Sequence, residues 1–332
     1  MIYRPQVMEG FPEKMWRRDA IWAIVVIVAA ISFGIEAVSR LAGQCGQSPG
    51  TGSFDLQYLQ RLARIATIVF SAGTILFLAY LAAFVSGVRL FPVPERRPAA
   101  WNIWDVAKAA ATAYLVMGIV NGIVTALLGL AAGPHTAGLD EAYIIVAQAV
   151  VLHLAILALA IGFVMARHGD TRAMGFTGRG WHVGLLHGVL GYAAILPAFY
   201  ATIALSVWLM SLFSIGPTPN PIIPALRQAG TGWFTWVAVF VITIFGPFTE
   251  EVFFRGYLYP AMRRRLSVWP AILINGFLFS IIHVSITDFL PILLLGVALA
   301  FLFEKTRSLV SCTAFHVLNN SLQMAIFFLM DR

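Results

Sequence analysis

Long apolar segments separated by short polar ones follow one another along almost the whole chain. Most are close to the ~20 residues that a helix needs to cross the apolar core of a bilayer. A helix satisfies its own backbone groups in lipid, and no β-barrel alternation is visible, so the pattern predicts an all-α bundle of membrane-spanning helices. The nine predicted segments are 20–39, 65–88, 109–132, 142–166, 182–213, 232–262, 268–287, 289–304 and 309–330.

Composition and charge agree with an integral membrane protein. The chain has 332 residues, of which 60% are hydrophobic and 11% are charged, whereas soluble domains are about 25% charged. If the nine segments alternate sides, 17 of the 22 Lys and Arg residues lie on the side of the N-terminus. Basic residues concentrate in cytoplasmic loops, so the N-terminus is predicted to be cytoplasmic. The net charge of +7 therefore needs no nucleic-acid partner.

The chain is predicted to divide into two parts. Residues 1–234 hold about five helices without a specific motif, and residues 235–332 hold the candidate catalytic core. The first apolar segment has no convincing cleavage site, so we interpret it as a retained span. The segment 289–304 is short for a complete crossing. The two cysteines, Cys45 and Cys312, indicate neither a disulfide nor a thiolate metal site.

Two adjacent carboxylates lie deep in the sixth segment. A charged side chain at the centre of a membrane helix costs about 2.5–3.5 kcal/mol, so such residues are rare and usually functional. Glu251 lies four residues before Arg255 on the same helix face, so these two are predicted to pair. Glu250 points about 100° away and lacks that partner. It is therefore the predicted general acid or base.

Two later segments contribute histidines and an amide. Phe279 and His283 are four residues apart, as are His316 and Asn320, so each pair is predicted to share a helix face. Together with Glu250, these side chains would enclose a polar cavity that holds the water needed for hydrolysis. Five other polar residues of the apolar segments are interpreted as packing or interface residues: Asn121, Gln148, His153, His182 and His187.

At these residues the sequence resembles the CAAX prenyl protease and bacteriocin-processing (CPBP, or Abi) family of intramembrane proteases. The resemblance covers about 235–330 and rests on three motifs that match in order. They are EExxxR at Glu250, Glu251 and Arg255, FxxxH at Phe279 and His283, and HxxxN at His316 and Asn320. EExxxR alone is a weak signal, but three ordered motifs on successive apolar segments are specific.

The resemblance implies an intramembrane endopeptidase and assigns roles to four residues. Glu250 would activate a water molecule, with His283 assisting. His316 and Asn320 would polarise the scissile carbonyl and stabilise the oxyanion.

The resemblance also implies supporting residues. Glu251 and Arg255 would be structural or would orient the other groups. Phe279 is interpreted as a wall of the cavity.

The sequence leaves the metal state of the site open. Glu250, His283 and His316 could ligate zinc with an open fourth position. A water molecule held directly by Glu250 and His283 is equally consistent with the spacing. No HExxH motif occurs, so the site is not an ordinary zincin. We prefer the glutamate mechanism, which requires no cofactor.

The expected substrate is a protein or peptide associated with the membrane, and the expected location is the bacterial plasma membrane. The site would be reached from the cytoplasmic half. Two alternative functions remain. A non-catalytic protein of the same scaffold, with a bacteriocin-immunity or partner-binding role, would not need intact motifs. A proton-coupled transporter would be expected to show internal repeats, which are not visible. The oligomeric state is not indicated.

Overall fold

The computed structural model describes residues 98–131, 139–168, 170–176, 180–213 and 232–330, together with single residues or short runs between 71 and 82 and at 226. This part of the chain is helical and contains no strand. The helices are α1 (Ile103–Ala131), α2 (Leu139–His168), a 3₁₀ turn (Arg172–Met174), α3 (Trp181–Leu212), α4 (Trp233–Met262), α5 (Val268–Ile281), α6 (Phe289–Thr306) and α7 (Leu309–Met330).

The all-helical membrane fold predicted from the sequence is confirmed. Within the described ranges, α1, α2, α3, α4 and α6 contain windows long and apolar enough to cross a membrane. Helix α7 has 22 residues, but its polar side chains make it less apolar than those five. The predicted segment 20–39 lies outside the described residues, as does most of 65–88.

The predicted segment 268–287 is wrong at its C-terminal end, because α5 stops at Ile281. A turn follows in which Val284 has a left-handed backbone with φ 49°. The Ser285 hydroxyl then donates to Asp288 at 2.7 Å, and Asp288 immediately precedes α6. The 14 residues of α5 extend about 21 Å, which is short of the ~30 Å bilayer core.

Helices α5 and α6 therefore form a hairpin whose tip lies at residues 282–288. The prediction for the second arm was nearly correct, since 289–304 is observed as Phe289–Thr306. No Lys or Arg lies between Arg265 and Lys305. The bias of basic residues is therefore the same whether or not this hairpin crosses the membrane completely.

Two glycines let the arms of the hairpin touch through their backbones. A Cβ added at Gly296 on α6 would lie 2.9 Å from both the Cα and the carbonyl oxygen of Gly276 on α5. Near the tip, the Ser280 hydroxyl donates to the Phe289 carbonyl at 2.7 Å. This close crossing places the Gly296 carbonyl next to the interior of α4, where Arg255 donates to it at 3.0 Å.

Helix α4 contains two π-helical stretches, Val241–Phe245 and Val252–Leu258. They flank the short α-helical stretch Gly246–Glu251, which carries both carboxylates. Single π turns inside α-helices rotate the following residues and are frequent at functional sites. Here they set the direction in which Glu250 and Glu251 leave the helix.

Glu304 anchors the opposite end of the bundle. Its carboxylate accepts a hydrogen bond from the Tyr259 hydroxyl at 2.8 Å and pairs with Arg263 at 3.3 Å and Arg307 at 2.8 Å. Arg263, the first basic residue after α4, thus ties α4 to α6.

The backbone contact at Gly296 predicts a steric cost for a single methyl group. Gly296→Ala should destabilise the protein by about 1–3 kcal/mol, the usual cost of overpacking a tight contact. The measurement is thermal unfolding of the purified protein in detergent.

The matched control is Gly162→Ala on α2, where an added Cβ meets nothing within 4 Å. That change should be neutral or stabilise by up to about 1 kcal/mol, because alanine is the better helix former. Equal unfolding temperatures for the two variants would contradict the close crossing.

Candidate active site

Three of the predicted site residues converge from three helical elements. Glu250 extends from α4, His283 lies just after α5, and His316 lies on α7. The Glu250 Oε2 atom is 3.9 Å from Nε2 of His283 and 3.9 Å from Nε2 of His316. This oxygen is buried and accepts no hydrogen bond from the described residues. The spacing of 3.9 Å is too long for a direct hydrogen bond and is one at which a bridging water is expected.

Glu251 and Arg255 form the predicted i, i+4 ion pair, with 2.8 Å between the Glu251 Oε1 and Arg255 Nη1 atoms. Both side chains are fully buried. The same Glu251 oxygen lies 2.9 Å from Nδ1 of His316. A carboxylate can only accept, so this Nδ1 atom donates and the Nε2 atom of His316 is turned toward Glu250. Glu251 therefore orients one histidine of the site while it neutralises Arg255.

His283 keeps its predicted relation to Phe279 although it lies beyond the end of α5. Its Nδ1 atom faces the Phe279 carbonyl at 2.7 Å, as it would on a continuing helix. That contact fixes Nδ1 as the donor and leaves Nε2 directed at Glu250. His283 thus stays in the site, but the hairpin tip positions it rather than a helix face.

Phe279 forms a wall of the site, as interpreted from the sequence. Its ring is fully buried. The ring centroid lies 4.9 Å from that of His283 and 5.6 Å from that of His316. The Arg255 guanidinium carbon lies 4.5 Å from the ring centroid, within the range of a cation–π interaction. Phe279 therefore packs against the buried cation and against both imidazoles.

Asn320 is bound to the backbone of α4. The Gly246 amide donates to the Val241 carbonyl in the π pattern, so the next donor in that pattern would be the nitrogen of residue 247. Residue 247 is proline and has no N–H, which leaves the Ile242 carbonyl without a helical partner. The Asn320 amide donates to that carbonyl at 2.9 Å. Asn320 thus closes a gap in the helix that carries Glu250.

His153 was interpreted from the sequence as a packing residue, but the structure places it in the site. Its Nε2 atom lies 3.8 Å from Oε1 of Glu250. The side chain extends from α2, which has no motif of its own. A signal was available, because His153 lies inside an apolar segment and intramembrane histidines are candidates for function by default. The sequence could not show which helix α2 packs against.

The C-terminal part of the chain matches a known family model. Residues 232–322 match the family model described as type II CAAX prenyl endopeptidase Rce1-like. This segment of the chain is similar to the CAAX prenyl protease family. The resemblance drawn from the three motifs is thereby confirmed, and all of Glu250, His283, His316 and Asn320 lie within the match. No curated protein and no solved structure matches the chain significantly.

The matched segment, residues 232–322, does not contain all the residues that surround Glu250. It begins at residue 232, whereas His153 belongs to α2. Helix α2 packs against the middle of α4, where the ring of His153 lies 5.8 Å from that of Phe245. The helices that precede the segment therefore contribute directly to the surroundings of Glu250.

The site opens toward the tip of the α5–α6 hairpin. The exposed fraction of the side chain rises from 3% at His316 and 15% at His153 to 25% at Glu250 and 30% at His283. Beyond His283, Val284 is 88% exposed. Access to Glu250 therefore runs past His283 and an apolar tip, while His316 closes the inner side.

The residues of the site have the donor types that zinc prefers, namely imidazole nitrogens and a carboxylate. Among the described residues, however, no group of three His, Cys, Asp or Glu side chains is arranged to hold a metal ion. The mechanism proposed below uses only the side chains themselves.

Removing one partner of the buried ion pair should destabilise the protein more than removing both partners. Arg255→Met leaves Glu251 charged and fully buried without its cation, and breaking a buried pair in this way costs about 3–5 kcal/mol. The double variant Glu251→Leu/Arg255→Met removes both charges and should recover much of that stability. Thermal unfolding in detergent measures both.

The control is Arg172→Met, whose side chain is 65% exposed and should change stability by less than about 0.5 kcal/mol. A double variant no more stable than Arg255→Met alone would argue against a network held by charge neutralisation.

Proposed function

We propose that this protein is an intramembrane endopeptidase that hydrolyses peptide bonds of membrane-associated proteins or peptides. One observation carries the proposal. The Oε2 atom of Glu250 faces the Nε2 atoms of both His283 and His316, each at 3.9 Å. A carboxylate and two imidazoles from three helical elements are arranged around one small space inside a membrane protein, as general acid–base catalysis requires.

Glu250 activates the nucleophile in this mechanism. A water oxygen can lie about 2.8 Å from both Oε2 of Glu250 and Nε2 of His283. Glu250 takes a proton from this water as the water oxygen forms a bond to the scissile carbonyl carbon. The protonated Glu250 then gives that proton to the amide nitrogen as the C–N bond breaks. Glu250 thus acts first as a base and then as an acid.

His316 and Asn320 stabilise the oxyanion of the tetrahedral intermediate. His316 already donates through Nδ1 to Glu251, so donation through Nε2 requires the imidazolium form. The Glu251 carboxylate, 2.9 Å from Nδ1, stabilises that positive charge. Asn320 uses one amide hydrogen on the Ile242 carbonyl and turns the second toward the developing charge.

The substrate approaches from the membrane. The site is most open at His283, and Val284 and Ile286 beside it are 88% and 68% exposed. An apolar rim of this kind suits a peptide that is already held in lipid by an apolar segment or a lipid anchor. We further propose the bacterial plasma membrane as the location. The expected access from the cytoplasmic half does not agree with this opening, because the basic residues after α4 and α6 place the base of the hairpin, and not its tip, on the cytoplasmic side.

The first experiment uses the full-length protein in liposomes with three quenched fluorescent peptides. One peptide carries a farnesylated CaaX sequence, the second is the same sequence without the lipid, and the third is an apolar transmembrane segment. Hydrolysis of at least one is expected. A folded protein that cleaves none of them would contradict the proposal and favour a non-catalytic role of the same scaffold.

Glu250→Gln should abolish this cleavage, since the amide cannot take a proton from water. The variant should still insert and fold. The matched control is Glu304→Gln, which alters a buried carboxylate at the opposite end of α4 and α6. It should lower stability but preserve the rate per folded molecule. Wild-type cleavage by Glu250→Gln would remove Glu250 from the mechanism.

The glutamate mechanism predicts that metal removal has no effect. Incubation with EDTA or 1,10-phenanthroline should leave the cleavage rate unchanged, and metal analysis of the active protein should find less than one zinc per chain. A loss of activity that added zinc restores would assign the metal mechanism instead.

A further inference from the structure

His153 lies against the side of Glu250 that the other two histidines leave free. Its Nε2 atom is 3.8 Å from Oε1, whereas His283 and His316 both face Oε2. The two oxygens of this carboxylate therefore have different neighbours. A carboxylate flanked in this way cannot rotate about its terminal bond without losing one contact or the other.

The orientation of the His153 ring is fixed from behind. Its Nδ1 atom faces the carbonyl oxygen of Ala149, one turn earlier on α2. A carbonyl only accepts, so Nδ1 carries a hydrogen and Nε2 is the atom directed at Glu250. The 3.8 Å between Nε2 and Oε1 is too long for a direct hydrogen bond. A water molecule between the two atoms would bridge them and hold Oε1 in place.

Helix α4 is shaped to receive the ring. Gly246 lies one turn before Glu250, and a Cβ added there would lie 3.3 Å from Nε2 of His153. The neighbouring Phe245 ring contacts the imidazole at 5.8 Å between centroids. The absence of a side chain at residue 246 thus lets the imidazole reach the level of the carboxylate.

We propose that His153 is a positioning residue of the active site. It holds Oε1 of Glu250 and thereby keeps Oε2 directed at the space between His283 and His316. This inference rests on the proposed function. It also extends the functional unit beyond the matched segment, because α2 is then required for full activity and not only for stability.

The test compares three variants of the full-length protein in liposomes, with whichever of the three peptides the wild type cleaves fastest. His153→Leu removes the polar contact at similar volume, and His153→Gln keeps an amide donor at about the reach of Nε2. His182→Leu is the control, since His182 is an exposed histidine on the first turn of α3. Thermal unfolding of each variant is measured in parallel.

We expect kcat of His153→Leu to fall about 10- to 100-fold, the usual effect of losing a partner that orients a catalytic group. Its KM should stay within about twofold. His153→Gln should recover much of the loss in kcat, and His182→Leu should match the wild type. A loss that follows unfolding and is not relieved by glutamine would mean a structural role only.

The outcome can be separated from the fate of the proposed function. If Glu250→Gln is inactive while folded His153→Leu keeps the wild-type kcat, the role of His153 is refuted and the peptidase assignment stands. If Glu250→Gln cleaves normally, both are refuted.

Discussion

The fully buried Glu251 carboxylate accepts hydrogen bonds from both Arg255 and His316. Charges in lipid are tolerated only when they are neutralised and hydrogen-bonded within the protein. The arginine also donates through Nη2 to the Gly296 carbonyl, which the close approach of Gly276 and Gly296 brings within reach. This network therefore joins α4, α6 and α7, and it also fixes the orientation of the His316 ring.

That network also explains why two adjacent glutamates can have opposite properties. Glu251 faces the interior, and its Oε1 atom accepts hydrogen bonds from Arg255 and His316. Glu250, one residue earlier, leaves the helix about 100° away and reaches imidazoles only at 3.8–3.9 Å. Among the described residues, Oε2 of Glu250 therefore has no direct donor and can bind water and exchange a proton. Of the two adjacent glutamates, Glu251 thus stabilises the fold, and Glu250 is left for the proposed chemistry.

Hydropathy predicted the helical bundle. The three motifs predicted the similarity to CAAX proteases and, through it, the convergence of Glu250, His283 and His316. The sequence failed where tertiary contacts decide. The end of α5 at Ile281 depends on a left-handed residue and a Ser285–Asp288 turn within an apolar stretch, where hydropathy shows no boundary. His153 could be assigned to the site only after α2 was placed against α4, and no spacing within the sequence relates residue 153 to residue 250.

The backbone of α4 links these findings, because a regular α-helix through residues 241–258 would present the glutamates differently. The π turn at Val241–Phe245 and the proline that follows it leave a carbonyl that only a side chain can satisfy, and Asn320 supplies the donor. A helix that relies on a neighbour for one of its own hydrogen bonds is stable only in the assembled bundle. The missing hydrogen bond is supplied by α7, the same helix that brings His316 to the site. The orientation of the Glu250 carboxylate therefore depends on the correct packing of α7.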